Sequence, residues 1–461
     1  MTAHFLPPGA SRQKPQRLPA VFPKVSGAAI KGVPGKKGLP YFGILPEAVI
    51  DPLRFATRMF EEHGPVHRFW ACGNWNVQLV GPEANEFVLS DQAKNFSSEG
   101  GWKPVFGRYF DGGLLLRDGE DHLWHRKVLA SAFKQDQLQS YLQVFSRNIA
   151  RTVSGWSGRT ADVYELSQTL TFRNGYEGFL GRDALDATRN DLLSFRYLMR
   201  SATSVVTIPF PGNSEWRAKW AKAHVSKLIR PMFEDSIAED RTDLLAVLLR
   251  MHEAGLLDEE EILAHLTFTI AASFDALSSA TCSTLYYLAA HPEWQARLRE
   301  ELCDAVPDAA SIGLAELQRC ELSDWCIKEA LRLNAAAPVL WRRSVGAFSF
   351  QGHQFPAGTV TGVNPMLTHL LPDIWPDPRK FDPTRFEASQ VRARHRYAYV
   401  PFGAGVHACL GGNFASLQVR ALLRALLERH EIRLSGGKAP NWYHWPNCRP
   451  RRALRLQLAR L

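Results

Sequence analysis

The segment Pro401-Phe402-Gly403-Ala404-Gly405-Val406-His407-Ala408-Cys409-Leu410-Gly411-Gly412 sets one cysteine in a glycine-rich loop, with a histidine two residues before it. An apolar run of helical character, Phe414 to Leu427, follows. A thiolate that faces a metal needs a loop able to approach closely without side-chain clash. Gly403, Gly405 and Gly411 permit that approach and any left-handed backbone angles. Amide N–H groups of such a loop can point at the sulfur and tune it. The start of the following helix brings a positive dipole end near Cys409 and favours the charged form. Two blander readings compete. Gly403-x-Gly405-x-x-Ala408 fits a relaxed dinucleotide fingerprint, which belongs between a strand and a helix, with an acidic residue about 20 positions on at the end of a second strand. The next acidic residue here is Glu428, at the end of the helical run itself. The other reading is a buried structural cysteine in a glycine turn.

The whole pattern favours a metal ligand. Phe402-Gly403-x-Gly405-x-His407-x-Cys409-x-Gly411 resembles the cysteine-ligand loop of the cytochrome P450 family. A second motif stands upstream. In Lys328-Glu329-Ala330-Leu331-Arg332, the spacing of three puts Glu329 and Arg332 on one helix face. Alone, such a pair is a surface ion pair of small worth. Followed by Phe381-Asp382-Pro383-Thr384-Arg385-Phe386, it resembles the family's Glu-Arg-Arg network of Glu329, Arg332 and Arg385. The resemblance runs from about residue 38 to the C-terminus. It implies a mainly α fold with a small β-rich part, and haem b with Cys409 as thiolate ligand. Phe402, Gly403, His407 and Gly411 would complete the haem-binding loop. Such a thiolate pushes electron density onto iron and favours O–O cleavage.

Further residues take their roles from the same resemblance. His122 and Arg126, four apart and so on one face of a helix opening near Asp118, fall where the family places haem-propionate partners. Two such side chains suit a pair of carboxylates. His122-x-x-His125 could also suggest a metal, but no third ligand stands nearby. Counting back from Phe355-Pro356-Ala357-Gly358-Thr359, Arg342 takes another propionate position. Glu259 to Ala290 reads as one helix of about 48 Å, ended by His291-Pro292. Its centre, Ala272-Ser273-Phe274-Asp275-Ala276, resembles the family's oxygen-binding groove with two departures: Ser273 replaces glycine and Ala276 replaces threonine. Asp275 in an apolar helix is costly to bury unless paired or functional. A catalytic proton-delivery role is therefore expected of Asp275, with Ser273 placing a water, or a substrate hydroxyl serving instead, where Ala276 offers no hydroxyl. The expected substrate pocket comprises Trp102, Phe106, Val206, Phe268, Ala272, Phe274, Ala337, Val339 and Trp442.

Element by element, Pro52 to His63 and Pro82 to Ser90 read as helices, and Val66 to Trp70 and Asn76 to Val80 as a hairpin around Gly73-Asn74. Asn95 to Gly113 reads as a long glycine- and aromatic-rich connection roofing the pocket. Ser201 to Trp216 matches a lid connection, and Trp216 to Ala238 a basic amphipathic helix. Asn441 to Trp445 falls in a final hairpin region.

The chain of 461 residues carries a formal charge of +9, yet seven cations and no acid precede Glu47, which leaves about +2 for the rest. The charge is thus no argument for nucleic-acid binding. Residues 1–35 read as a basic, Pro-rich, loosely packed extension, with an anionic membrane surface as a candidate partner. Residues 36–461 form the expected haem-thiolate domain. No uninterrupted run of 18 apolar residues and no apolar signal segment is present, so a cytoplasmic monomer without a transmembrane span is expected. Seven scattered cysteines, never in C-x-x-C, fit a reducing compartment.

The implied reaction inserts one oxygen atom from O₂ into an apolar small molecule: a terpenoid, steroid, fatty-acyl or aromatic compound of secondary metabolism. Electrons would come from NAD(P)H through a separate ferredoxin or flavodoxin. Arg126, Lys127, Arg392, Arg394 and Arg396 suit such an acidic partner. Ala276 keeps open a peroxygenase, isomerase or dehydratase that bypasses O₂ activation. A haem-binding sensor or carrier without turnover is the third class.

Overall fold

The computed structural model describes residues 14–17, 21–91, 94–205, 207–234, 238, 241–307, 312–436 and 439–461. The helix Glu259–Ala290 is the axis of the molecule. A capping box fixes its start: Asp258 accepts from the Glu261 amide at 2.8 Å and Glu261 accepts from the Asp258 amide at 3.2 Å. Pro292, which has no N–H to donate, opens the next helix, Pro292–Ala305. Among the described residues this long helix alone is apolar and long enough to cross a membrane, yet Ile262, Leu266, Ile270, Leu277, Leu285 and Leu288 are buried in the protein core. Helices Val163–Leu180, Arg189–Ala202, Glu321–Leu333 and Gly412–Leu427 belong to the same core and wrap the long one. A helix apolar around most of its girth needs such enclosure.

The β-rich part is a six-stranded mixed sheet in the order Gly35–Lys36, Val66–Ala71, Asn74–Leu79, Val360–Val363, Leu340–Ser344, Phe96–Ser97. Cys72 and Gly73 turn the hairpin with φ of 51° and 75°. His430–Leu434, Arg455–Arg460 and Thr160–Asp162 make a second sheet. Trp442–His444 and Cys448–Pro450 pair as a hairpin lying along the long helix, where Ser279 donates to the Cys448 carbonyl.

Three expectations are corrected. The stretch read as a loop from Asn95 to Gly113 contains the helix Ser98–Phe110. Its start is capped twice over. Ser97 Oγ accepts from the Gly100 amide at 2.7 Å, and the Asp118 carboxylate accepts from the Ser98 and Glu99 amides at 2.8 and 3.2 Å. The glycines that suggested a loop serve packing: a Cβ on Gly101 would lie 2.6 Å from the backbone of Trp341 and Arg342. The amphipathic helix begins at Ser214 and ends at Ile229, with a 3₁₀ turn over Arg230–Glu234. The described part of the N-terminal segment is not loose: Ile30 and Val33 are buried, and Gly35–Lys36 joins the sheet. Lys14 pairs with Glu261, and Arg17 with Glu99 and Asp111.

Candidate haem-thiolate site

Gly403 and Gly405 have φ of 66° and 67°. A Cβ on Gly405 would sit 2.0 Å from the Leu89 carbonyl oxygen, so glycine is needed for space as well as for conformation. Gly411, at φ −90°, is not left-handed; its amide points at the Cys409 sulfur instead. The Cys409 amide donates to the Phe402 carbonyl at 2.8 Å and closes the loop. Cys409 is crowded by protein and yet open at its side chain, so the sulfur faces a gap inside the fold. Burial pushes the thiol pKa up, while the Gly411 N–H and the Arg126 charge oppose that rise.

Three buried donors, His122, Arg342 and Trp102, and the half-buried Arg126 belong to this part of the fold. His122, on the helix Gly119–Ala130, stacks on His407 at 3.9 Å between ring centroids, and its Nδ1 has no partner. Burial, with His407 and Arg126 adding to it, holds His122 at about 3, so its ring is neutral. Arg342 is 5% exposed; it donates to the Trp341 carbonyl at 2.8 Å and makes no ion pair among the described residues. Burial lowers its pKa to about 10, still charged at neutral pH. Trp102 Nε1 is buried without a partner. Arg126 donates to the Ala408 carbonyl at 2.7 Å and so also braces the cysteine loop. Buried polar groups are normally satisfied. Unspent donors of this kind, near an accessible sulfur, fit a planar group that carries carboxylates and accepts a thiolate. Haem b has that chemistry.

Phe268, Ala272 and Ala276 are half-buried within the otherwise buried long helix. Their spacing of four makes one stripe, the face that a chamber would meet. Ala337 and Val339 are half-buried as well. Trp102, Phe106, Phe110 and Phe268 form an aromatic ladder with steps of 5.4, 6.0 and 6.0 Å, joining the roof helix Ser98–Phe110 to the stripe. Asp275 is 9% exposed and accepts from Tyr164 Oη at 3.0 Å and Asn447 Nδ2 at 2.6 Å. The Ser273 hydroxyl donates to the Ile270 carbonyl of its own helix at 3.0 Å.

Behind the loop, Arg332 grips Glu329 through two hydrogen bonds of 2.7 and 2.8 Å, with both side chains fully buried. Arg385 Nε lies 3.4 Å from Glu329 Oε1. Arg332 also donates to the carbonyls of His369, Pro378 and Lys380, and the Asp382 amide donates to Glu329. Burial raises the Glu329 pKa; Arg332 works against it.

The family model for cytochrome P450 matches residues 33–455. The chain belongs to the cytochrome P450 family. It is therefore a haem-thiolate monooxygenase, and haem b is its cofactor. The P450 is 31% identical over 447 residues to the putative cytochrome P450 136 of Mycobacterium tuberculosis, covering 93% of this chain and 89% of that one. It is 25% identical over 425 residues to a sterol 14alpha-demethylase of Mycolicibacterium vanbaalenii, covering 88% and 93%. The fold matches a structure described as retinoic acid bound cyanobacterial CYP120A1, with a TM-score of 0.86, 24% identity, and coverage of 96% and 100%.

The structure of this P450 brings most of the expected site residues together and moves others. Trp442 packs on Tyr286 at 5.6 Å. Tyr286 is 18 residues along the long helix from Phe268, about 27 Å at 1.5 Å per residue, so Trp442 stands away from the aromatic ladder. Phe274 is buried against Phe172, on a face turned toward Val163–Leu180 rather than toward the aromatic ladder. Val206 lies outside the described residues. Arg394 is not a free surface cation: its guanidinium lies 4.2 Å from the Trp375 ring centroid and 5.4 Å from that of Phe386. His125 pairs with His265 at 2.9 Å rather than with His122. Sequence reasoning missed Asp118 as the cap of the roof helix, 3.5 Å from His407; its place just ahead of Gly119–Ala130 signals a cap for that helix, which its side chain does not make, so nothing local points to the observed role. It also missed Tyr164 and Asn447, which lie 111 and 172 residues from Asp275.

Proposed function

We propose that this P450 oxygenates an apolar small molecule with electrons from NAD(P)H, delivered by a separate ferredoxin or flavodoxin in the cytoplasm. The observation that carries the reading is the accessible Cys409 sulfur, with its Gly411 amide donor, beside the unspent donors of His122, Arg342 and Trp102. Cys409 would ligate the iron, and His122, Arg126, Arg342 and Trp102 would hold the propionates. When bound, the haem supplies the iron at which O₂ is activated. The aromatic ladder and the alanines of the stripe exclude water and orient an apolar body. Asp275, the residue before Ala276 in the long helix and steadied by Tyr164 and Asn447, would serve as the proton-handling carboxylate. Exposed Lys127, Arg392 and Arg396 would meet an acidic electron donor.

A second reading rests on Ala276, which places a methyl where a hydroxyl would otherwise help proton delivery. On that reading the enzyme takes peroxide directly. Two measurements test the proposal. Reduced protein with CO is expected to give the red-shifted Soret band of thiolate ligation, and Cys409→Ala to lose it; a retained band overturns the ligand. Asp275→Asn is expected to slow reductase-driven turnover sharply while the peroxide-driven rate persists. Equal loss of both rates makes Asp275 structural.

A further inference from the structure

Lys14 and Arg17 precede residue 33, where the cytochrome P450 match begins, yet both are fastened to elements that enclose the chamber. One guanidinium nitrogen of Arg17, Nη2, donates to Glu99 at 2.9 Å, to Asp111 at 2.9 Å and to the Leu116 carbonyl at 3.0 Å. Glu99 stands in the first turn of the roof helix Ser98–Phe110, and Asp111 is its C-cap, so one side chain draws together the carboxylates at the two ends of that helix. Lys14 pairs with Glu261 in the first turn of the long helix. Behind this clasp the segment is anchored to the body. Arg343 donates to the Pro23 carbonyl at 3.1 Å and lies over the Phe22 ring, Arg68 donates to the Gly27 carbonyl at 2.7 Å, and Ile30 and Val33 are buried.

The clasp can leave without stranding a buried charge. Glu99 is buried, but it keeps Lys103 at 2.8 Å. Glu261 keeps Arg117 at 3.4 Å and the Asp258 amide at 3.2 Å, and Asp111 is exposed to water. The side chains of Lys14 and Arg17 are 30% and 28% exposed. Ion pairs so open to water are weak and screened by salt, whereas a buried pair resists separation. The roof helix ends on a turn able to pivot. Gly112 has φ of 85°, and the turn lies flat on the long helix: a Cβ on Gly113 would come within 2.8 Å of the Phe268 side chain. A swing about this turn parts Phe110 from Phe268 and breaks the aromatic ladder at its last step.

We propose that Arg17, assisted by Lys14, is a positioning residue that clasps the roof helix over the chamber, and that release of this clasp sets how fast apolar molecules enter and leave. The proposal rests on the haem-thiolate reading for the place of the chamber. It gives the basic N-terminal segment a part in access and none in the chemistry.

The test uses the haem-loaded full chain with 1-phenylimidazole, a neutral apolar azole whose binding is followed by the Soret shift in stopped flow. Arg17→Gln is expected to speed association and dissociation alike by about threefold or more, the scale of one or two exposed ion pairs. The equilibrium constant is expected to stay nearly the same, because a gate acts equally on entry and exit. Asp111→Asn is expected to act in the same direction, and Arg17→Lys, which keeps a charge within reach, to stay near the parent. Rising potassium chloride is expected to speed the parent and to leave Arg17→Gln unmoved. Hydrogen exchange of the Ser98–Phe110 amides is expected to quicken in Arg17→Gln without any azole. Parent-like rates and exchange in Arg17→Gln overturn the proposal, as does a change in dissociation alone, which would make Arg17 a support for the bound azole. The CO band, recorded on the same preparations, reports Cys409 ligation separately. The exchange comparison reads the clasp whether or not that band appears.

Discussion

Asn447 donates its side-chain amide to Oδ2 of Asp275 across 2.6 Å, tying the C-terminal hairpin to the middle of the long helix. The same hairpin turn reaches the start of the lid connection, where Trp445 Nε1 donates to the Thr203 carbonyl at 3.4 Å. A hydrogen bond to a charged group contributes about 1.5–3 kcal/mol. Asn447→Leu should therefore destabilise the fold by roughly that amount, read as a lower urea midpoint. An unchanged midpoint would show that the hairpin is held elsewhere.

Glu329 and Arg332 are stranded if either is removed alone. Breaking a buried pair costs about 3–5 kcal/mol. Glu329→Ala should yield protein with little haem and a much lower melting temperature, whereas Glu329→Gln, which keeps an acceptor for the Asp382 amide, should lose less. Normal haem content and melting in Glu329→Ala would remove the network from the account.

His369 makes stability depend on pH. Its Nε2 accepts from the Val400 amide at 3.0 Å, so the ring must be neutral at that nitrogen. Burial, with the Arg332 charge beside it, holds its pKa at about 3. The unfolded chain has an ordinary histidine near 6.5. Between these values the unfolded state binds more protons, so stability is full above about 6.5 and is lost as pH falls toward 3. This residue alone should cost about 1.4 kcal/mol on going from pH 7.5 to 5.5. Urea titrations at the two pH values should show a smaller difference in His369→Gln than in the parent; equal slopes would mean that His369 does not titrate on unfolding.

Deleting residues 1–34 removes Ile30 and Val33 from their cluster with Val77 and Phe355, along with the Lys14 and Arg17 ion pairs. Burying one such side chain stabilises by about 1.5–3 kcal/mol. A fall in melting temperature is expected, and a shortened chain that melts like the full one would return the segment to the status of a loose extension.

The site was legible where chemistry is local in sequence. The cysteine loop, the Glu329–Arg332 spacing and the His122–Arg126 face each fit within one short segment, and the long helix announced its end through His291-Pro292. What was illegible depended on distance in the chain. Nothing near Asp275 reveals Tyr164 or Asn447, and nothing near His125 reveals His265, 140 residues away. The roof helix was misread for a different reason. Gly100 and Gly101 argue for a loop by propensity, but packing of Gly101 against the Trp341–Arg342 backbone, and of Gly100 against Phe22 and Arg343, requires their small size inside a helix.

Leu89, in the last turn of its helix, has a carbonyl that fills the space a Cβ at residue 405 would take. That helix, Pro82–Ser90, contributes no reacting group, yet it is the anvil on which the cysteine loop is seated. A loop transplanted from a relative would carry its glycines with it and still hold its sulfur at the wrong height, unless the end of this helix were transplanted too.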